Sequence, residues 1–365
     1  MPGRSLDALT ARVAHACRTT SGAVALQRAV AETVRAAVPF DAWCVLTIDP
    51  ASVLPTGGFH REGLALDYMP RFMAIEAGGE DALALPTLAR GAERAVTLST
   101  ATGGDPARSA HYQEILVPTG FTREMRVLFS TNAHVWGALI LFRSADAPDF
   151  SDADAALISG ATAGVADAIR REMVLTEIAA DEHVEGPGLL LLDPDFDRIS
   201  TTTAAAHWLD RVDDDVDQRR GLPYCVLNLA NQAWSRPGPA RSRIRTRAGR
   251  WVTMHAERLA GPAEQISIII EATRPVEIAA LVADSYRLTA REREVVGLLA
   301  RGHSRTEIAR MLALSTHTVD DHIKRLFGKV GVRSRAELTA KLFFDQHMPR
   351  IQDEVPVGGT GWFLR

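Results

Sequence analysis

"STHTVDDHIKRLFGKVG", residues Ser315–Gly331, decides how the rest of the chain is read. Val319, Ile323, Leu326, Phe327 and Val330 recur every three or four positions, the spacing of one helix face. Ser315 is a good N-cap for that helix, and Gly331 a good stop. The opposite face holds His317, Asp321, Lys324 and Gly328, flanked by Asp320 and Arg325. A helix with such a face is built to meet a second surface. If that surface is DNA, a polyanion, the adjacent carboxylates of Asp320 and Asp321 need a reason.

The same punctuation repeats on either side. In "LTAREREVVGLLARG" Thr289 caps, Glu292 stands at the capping-box position and Gly302 ends the helix. In "SRTEIARMLAL" Ser304 and Glu307 repeat the device, and in "SRAELTAKLFF" Ser334 and Glu337 do so again. The second and third helices are separated only by a short turn, which is a helix-turn-helix by spacing. Upstream, "PVEIAALVADSYR" has Pro275 at a first-turn position and reads as a connecting helix.

Charge separates this segment from the rest. Arg287–Lys341 holds 12 basic residues against 6 acidic, a net of +6 in a chain whose total is −4. A basic module on an acidic body points to a polyanionic partner for the C-terminal part. A small helical bundle that binds only protein is the alternative. The positive charge and the short turn argue against it.

The stretch "LTAREREVVGLLARGHSRTEIARMLALSTHTVDDHIKRLFGKVGVRSRAEL" resembles the LuxR-type (FixJ/NarL-type) DNA-binding domain, at Leu288–Thr289, Glu292, Gly302, Glu307–Ala309, Ser315, Thr318–Val319, Lys329, Ser334–Arg335 and Leu338 among other positions. The resemblance implies a third helix in the major groove, with Asp320, Asp321 and Lys324 as base-edge readers and the fourth helix as dimer contact. It implies double-stranded DNA as partner and a homodimer on paired half-sites, with RNA polymerase as a further contact. Ser304, Ser315 and the first turn Thr316, His317 and Thr318 offer hydroxyls and free N–H groups suited to phosphate. Arg305, Arg325, Lys329, Arg333 and Arg335 are expected to neutralise further phosphates. His322 adjoins the apolar stripe, so a packed, hydrogen-bonded role is expected for it.

The two aspartates then acquire roles. Asp320 precedes Lys324 by four residues and Asp321 precedes Arg325 by four, the favourable acid-then-base order. Such exposed pairs contribute about 0.5 kcal/mol or less. Asp321 beside Lys324 also suits acceptance of a hydrogen bond from a cytosine amino group.

At 365 residues the chain is long enough for two or three domains. Residues 5–38 repeat apolar positions at helical spacing, interrupted near "TTSG". "AWCVLTID", "AVTLS", "REMRVLFS" and "VWGALILFR" read as strands, with a helix around "ARSAHYQEILVP" and a long closing helix after Ser151. That order, with "FDAWCVLTID" and "WGALILFR", resembles a GAF domain and sets a first α+β domain at 1–178. "DEHVEGPG" reads as a linker. "GLLLLDPDFDRISTTTAAAHWLD", the alternating hairpin "RSRIRTRAGRWVTMHAERL" and "QISIIIEAT" resemble a PAS domain over 186–274. A connecting helix (275–287), the four-helix LuxR-type domain (288–346) and a tail (347–365) complete a multidomain chain. Arg241, Arg243, Arg245 and Arg247 alternate along one strand and are expected on a solvated outer face, countered by "DRVDDDVDQ".

The sensor-like domains point to a small-molecule effector, for which Phe40, Trp43, Tyr112 and Trp136, near expected strand ends and loops, are the candidate pocket residues. Ordinary core packing is the alternative for each. Cys44 reads as a buried strand cysteine. Cys17, Cys44 and Cys225 are scattered, which fits a reduced compartment with no disulfide framework and no structural zinc. No GxGxxG, Walker A, HExxH or GxSxG signature is present, so neither catalysis nor a cofactor nor a metal is expected. The first 175 residues contain no lysine, which excludes the strand-end lysine of a phosphorelay receiver. No apolar run approaches the about 18 residues of a membrane span, and the start lacks a signal-peptide core, so a cytoplasmic site is expected. Two further readings stay open: a regulator whose sensor domains are ligand-free dimerisation scaffolds, and an enzyme with a helical tail.

Overall fold

The structure is a computed structural model and describes residues 6–79, 81–131, 134–175, 186–261, 264–273, 277, 286 and 288–339. The interruption near "TTSG" does split the first helical stretch, into Leu6–Thr19 and Ala23–Arg35. A five-stranded antiparallel sheet follows, ordered in space as His60–Glu62, Ala42–Thr47, His134–Ser144, Phe121–Thr131 and Ala95–Thr97. Every residue of Ala42–Thr47 is buried, because both faces of the sheet are covered. On one face Cys44, Leu46 and Ile140 pack with Leu83, Leu85, Leu88 and Leu116. On the other, Gly137 lets the helices come close: a Cβ there would stand 3.2 Å from both Gln27 Oε1 and Ile169 Cδ1.

The closing helix is in two pieces, Asp152–Ser159 and Thr162–Leu175, broken at Gly160–Ala161. Ser151 caps the first piece in a reciprocal capping box with Asp154. Around "ARSAHYQEILVP" the chain forms a short 3-10 turn, a π-helical turn Tyr112–Leu116 and a final α turn. The helices Met69–Gly78 and Leu85–Arg90 are additions to the expected order. Each has proline in its first turn and no side-chain N-cap bond, and glycines frame them, so their sequence reads as turns.

The second sheet is also antiparallel, in the order Ala240–Arg245, Trp251–Leu259, Gln265–Ala272, Gly188–Leu192, Arg198–Thr201. Thr203–Arg211 is the expected helix, capped by Thr202. A further helix, Tyr224–Ser235, packs against Met69–Gly78 of the first domain. Leu54, Met69 and Met73 belong to the second domain's apolar core, and the two sheets form one compact unit. At the seam Gly58 donates its N–H to Asp213 O at 2.7 Å. Gly57 (φ 106°) has room only for hydrogen there, since a Cβ would lie 2.6 Å from that same oxygen.

The arginine-bearing strand departs from expectation at this seam. Arg241 and Arg247 are exposed, but Arg243 is buried with its Nη2 2.5 Å from Asp49 Oδ1. Arg245 donates to Glu172 O at 2.6 Å and Gly249 O at 3.0 Å. Burial pushes its pKa down to about 10. The face expected to meet water meets the first domain instead.

The C-terminal residues form a separate compact unit of short helices, described below. The connecting helix expected over 275–287, two isolated positions apart, lies outside the described residues, as do linker residues 181–185 and the tail. Among the described residues no helix is long and apolar enough to cross a membrane.

Candidate nucleic-acid interface

Helices Ala290–Ala300, Arg305–Met311, Thr316–Val330 and Arg335–Thr339 build the C-terminal domain. Thr289 with Glu292 and Ser304 with Glu307 form two of the three capping boxes read from the sequence; at the third Glu337 N donates to Ser334 Oγ while the Glu337 carboxylate takes Arg333 N, and Ser315 accepts from Thr318 N. The turn between second and third helices passes through Ala313 at φ 52°, a left-handed position uncommon for alanine. Leu314 N donates back to Ala309 O at 2.8 Å, which closes that turn. Val319, Ile323, Leu326 and Val330 are all buried, and the third helix packs on the first two through this stripe. Gly331 (φ 72°) ends it, donating to Phe327 O as a left-handed C-cap does.

Two of the expected phosphate-neutralising cations are engaged inside the domain. Lys329 Nζ lies 2.6 Å from the buried Glu292 carboxylate, which also accepts from Thr289 N at 2.7 Å. Burial alone would raise the Glu292 pKa; Lys329 and the cap bonds overcome it and hold the carboxyl low. Arg335 donates to His303 O at 3.2 Å and also to Leu299 O, satisfying carbonyls at the end of the first helix. Arg291 Nη2 reaches Leu312 O at 2.5 Å and joins the first helix to the turn.

The third helix turns a different set outward. His317, Lys324 and Arg325 are exposed, and neither Lys324 nor Arg325 has an ion-pair partner among the described residues. The pairings expected along the helix are replaced. Asp320 Oδ1 pairs with Arg305 Nε at 3.0 Å, across to the second helix, and Asp321 Oδ2 lies 3.9 Å from His317 Nε2. The second helix runs close enough that its first residue outcompetes the i+4 neighbour. Ser315 Oγ and Thr318 Oγ1 are 2.8 Å apart, while Thr316 is exposed in the first turn. Arg333 is exposed and donates its backbone N–H to Glu337, and Ser304 is exposed at the second helix's cap. His322 is half-buried against the stripe as expected, but its Nδ1 is buried without a hydrogen bond among the described residues. Ser304, Arg305, Ser315, Thr316, His317, Asp320, Asp321, Lys324 and Arg325 thus cluster on the second and third helices, with Lys329 and Arg335 given to internal bonds.

The candidate pocket aromatics are packed into the first domain. Phe40, Trp43 and Trp136 are buried in the first domain, with Arg35 over the Phe40 ring at 4.8 Å and His60 against Trp43. Tyr112 packs at the edge of the core that holds Cys44 and Leu46. Burial pushes the Cys44 thiol up to about 12, so it stays protonated near neutral pH. Sequence reasoning missed a buried polar cluster beside it. Arg126 Nε donates to Glu124 Oε1 at 2.7 Å and its Nη1 to Glu76, while His111 Nδ1 lies 2.8 Å from Glu124 Oε2. Burial would raise the Glu124 pKa, but Arg126 and His111 overcome it and hold it at about 2. The signal was present: Glu124 and Arg126 alternate onto one face of a strand whose middle residues are buried.

Short capped helices, a tight second-to-third turn and an outward cationic third helix define a helix-turn-helix DNA-binding domain. Residues 286–342 match the family model for bacterial regulatory proteins, luxR family, and this domain is a LuxR-family one. Curated relatives agree within that segment. The monoamine regulon transcriptional regulator of Klebsiella aerogenes is 44% identical over 54 residues, 15% of this chain and 24% of the relative. A putative HTH-type transcriptional regulator of Escherichia coli, YhjB, is 38% identical over 61 residues, 17% of this chain and 30% of its own. The match therefore spans about a quarter of the relatives' length. Among solved structures, E. coli SdiA aligns over 93% of this chain and 98% of its own at 11% identity and TM-score 0.36. A GAF domain/HD domain protein from Geobacter sulfurreducens aligns over 43% and 98% at 19% identity and TM-score 0.33.

Proposed function

We propose that the chain is a bacterial transcription regulator that binds double-stranded DNA through its LuxR-family domain, as a homodimer on paired half-sites, under control of the two N-terminal domains. The exposed, unpaired Lys324 and Arg325 beside Asp321 on the third helix carry this reading. They give the outward face both phosphate-binding charge and a group that discriminates bases. The first domain's element order supports a GAF-like sensor. The strand–turn–strand–helix entry of the second supports a PAS-like one, with boundaries at 1–178 and 186–274. A small-molecule effector would act by shifting a balance between dimer arrangements that already exist. The test is selection of bound duplexes from a random pool by the full chain. Enrichment of a two-fold-related pair of half-sites is expected, and recovery of no common sequence contradicts the reading.

A further inference from the structure

A cavity of about 40 Å³ lies at the seam of the two N-terminal domains. Each enclosed water needs about 10–15 Å³, so the space holds a few heavy atoms rather than a single solvent molecule. Its walls are mixed in origin. Cys44, Phe59, Phe72 and Ala77 come from the first domain, while Tyr224 and Asn228 come from the helix of the second that packs over it. The body of the cavity is apolar, yet two carboxylates, Glu76 and Asp214, reach its surface.

The charged groups at this wall, Glu76 and Asp214, are both carboxylates. Asp214 takes the Phe59 N–H at 3.2 Å on Oδ1 and the Cys225 N–H at 2.7 Å on Oδ2, so one carboxyl ties both domains to the cavity. Asn228 uses one amide N–H on Tyr224 O at 2.9 Å, which leaves its oxygen as acceptor and one N–H as donor. Glu76 binds Leu85 N and Arg126, but Arg126 is also paired with Glu124, so the cation behind the wall is already matched by two carboxylates. Among the described residues no lysine, arginine or histidine lines the space. A half-buried carboxylate facing an apolar cavity is costly unless donors complete it.

Resting on the regulator reading above, we infer that this seam cavity is the effector site, and that it takes a compact molecule with an apolar body and a hydrogen-bond-donating head, cationic or neutral but not anionic, read by Asp214. Because the second domain supplies that carboxyl, an occupant contacts both domains at once. Occupancy therefore has a direct way to change how tightly they hold each other.

The experiment uses the full chain and three probes that share one apolar body: isobutylamine, isobutanol and isobutyrate, titrated by calorimetry at pH 7.5. Saturable binding in the order amine, alcohol, carboxylate is expected, with the amine about ten-fold or more tighter than isobutyrate. Asp214→Asn should weaken the amine by about ten-fold while leaving the alcohol nearly unchanged. Ala77→Leu, which fills the space from the other wall without touching the carboxyl, should remove all binding. A tighter isobutyrate, no saturable binding by any probe, or binding indifferent to both variants overturns the inference. DNA binding measured on the same samples separates the two claims: its loss counts against the regulator reading, its retention without probe binding only against the cavity.

Discussion

Arg305 Nε lies 3.0 Å from Asp320 Oδ1, a pair that joins the second helix of the helix-turn-helix to the third. Arg305 is largely solvent-exposed and Asp320 partly so, so the pair adds little to stability. Its consequence is electrostatic: it holds one cation away from any phosphate. Asp320→Ala should release Arg305, raise DNA affinity at low salt and steepen the dependence of log K on log salt by about one. Fluorescence anisotropy across a salt series reads both, and an unchanged slope with unchanged affinity contradicts the assignment.

Asp321 is placed differently, half-exposed with His317 Nε2 at 3.9 Å. Asp321→Ala should relax sequence preference, narrowing the affinity gap between the selected site and single-base variants. A uniform loss at every sequence would assign Asp321 to structure instead.

Lys329 should act on folding. Lys329→Ala leaves the buried Glu292 carboxylate short of its partner, at a cost of about 1–3 kcal/mol to the C-terminal domain. Denaturant unfolding should show that loss, while the salt slope of DNA binding stays at the wild-type value. The opposite pattern would return Lys329 to the interface.

The C-terminal domain was legible because each helix announces itself with a Ser or Thr cap, followed in three of the four by a carboxylate three residues on, and local bonds obey local sequence. What Asp320 and Lys329 pair with was not legible, since Arg305 and Glu292 approach only after the helices pack. Most strands of the sensor domains were legible as segments from alternation and turn residues, but their order in the sheets was not, and Met69–Gly78 and Tyr224–Ser235 were hidden. Both lack side-chain caps and are held by each other across the seam. The same seam misled the reading of Arg243, because alternation reports which residues share a face and not what covers that face. Phe40, Trp43 and Trp136 showed the limit of composition: aromatic residues near strand ends are core unless a cavity opens beside them.

The seam itself has a stability cost that can be measured. Asp49→Ala leaves Arg243 buried without its carboxylate, which should cost about 3 kcal/mol. Because the two sheets share one core, both domains should lose stability together in a single transition. Selective melting of one sheet domain would contradict the shared unit.

Asp214 gives a pH signature. Burial pushes its carboxyl up to about 7, with Asp215 adding to the rise, while the Phe59 and Cys225 bonds resist it. The folded state then holds a proton that the unfolded state has released, so this group's contribution falls as pH rises from about 4 to 7 and is constant above. Asp214→Asn lacks that titration but loses an acceptor for one backbone N–H. The variant should therefore be the less stable protein at pH 5, and the gap should narrow by pH 8. Thermal unfolding at the two pH values checks this, and a gap that widens towards pH 8 contradicts it.

The central claim is that the third helix of the C-terminal domain reads DNA. A competition anisotropy titration of the full chain, on its selected duplex and on a scrambled one, tests it most directly over about 50–200 mM salt. The account predicts tight, salt-dependent binding to the selected duplex, with Lys324→Ala and Arg325→Ala each weakening it and lowering the salt slope. Equal affinity for both duplexes, or binding indifferent to salt and to both substitutions, would contradict it.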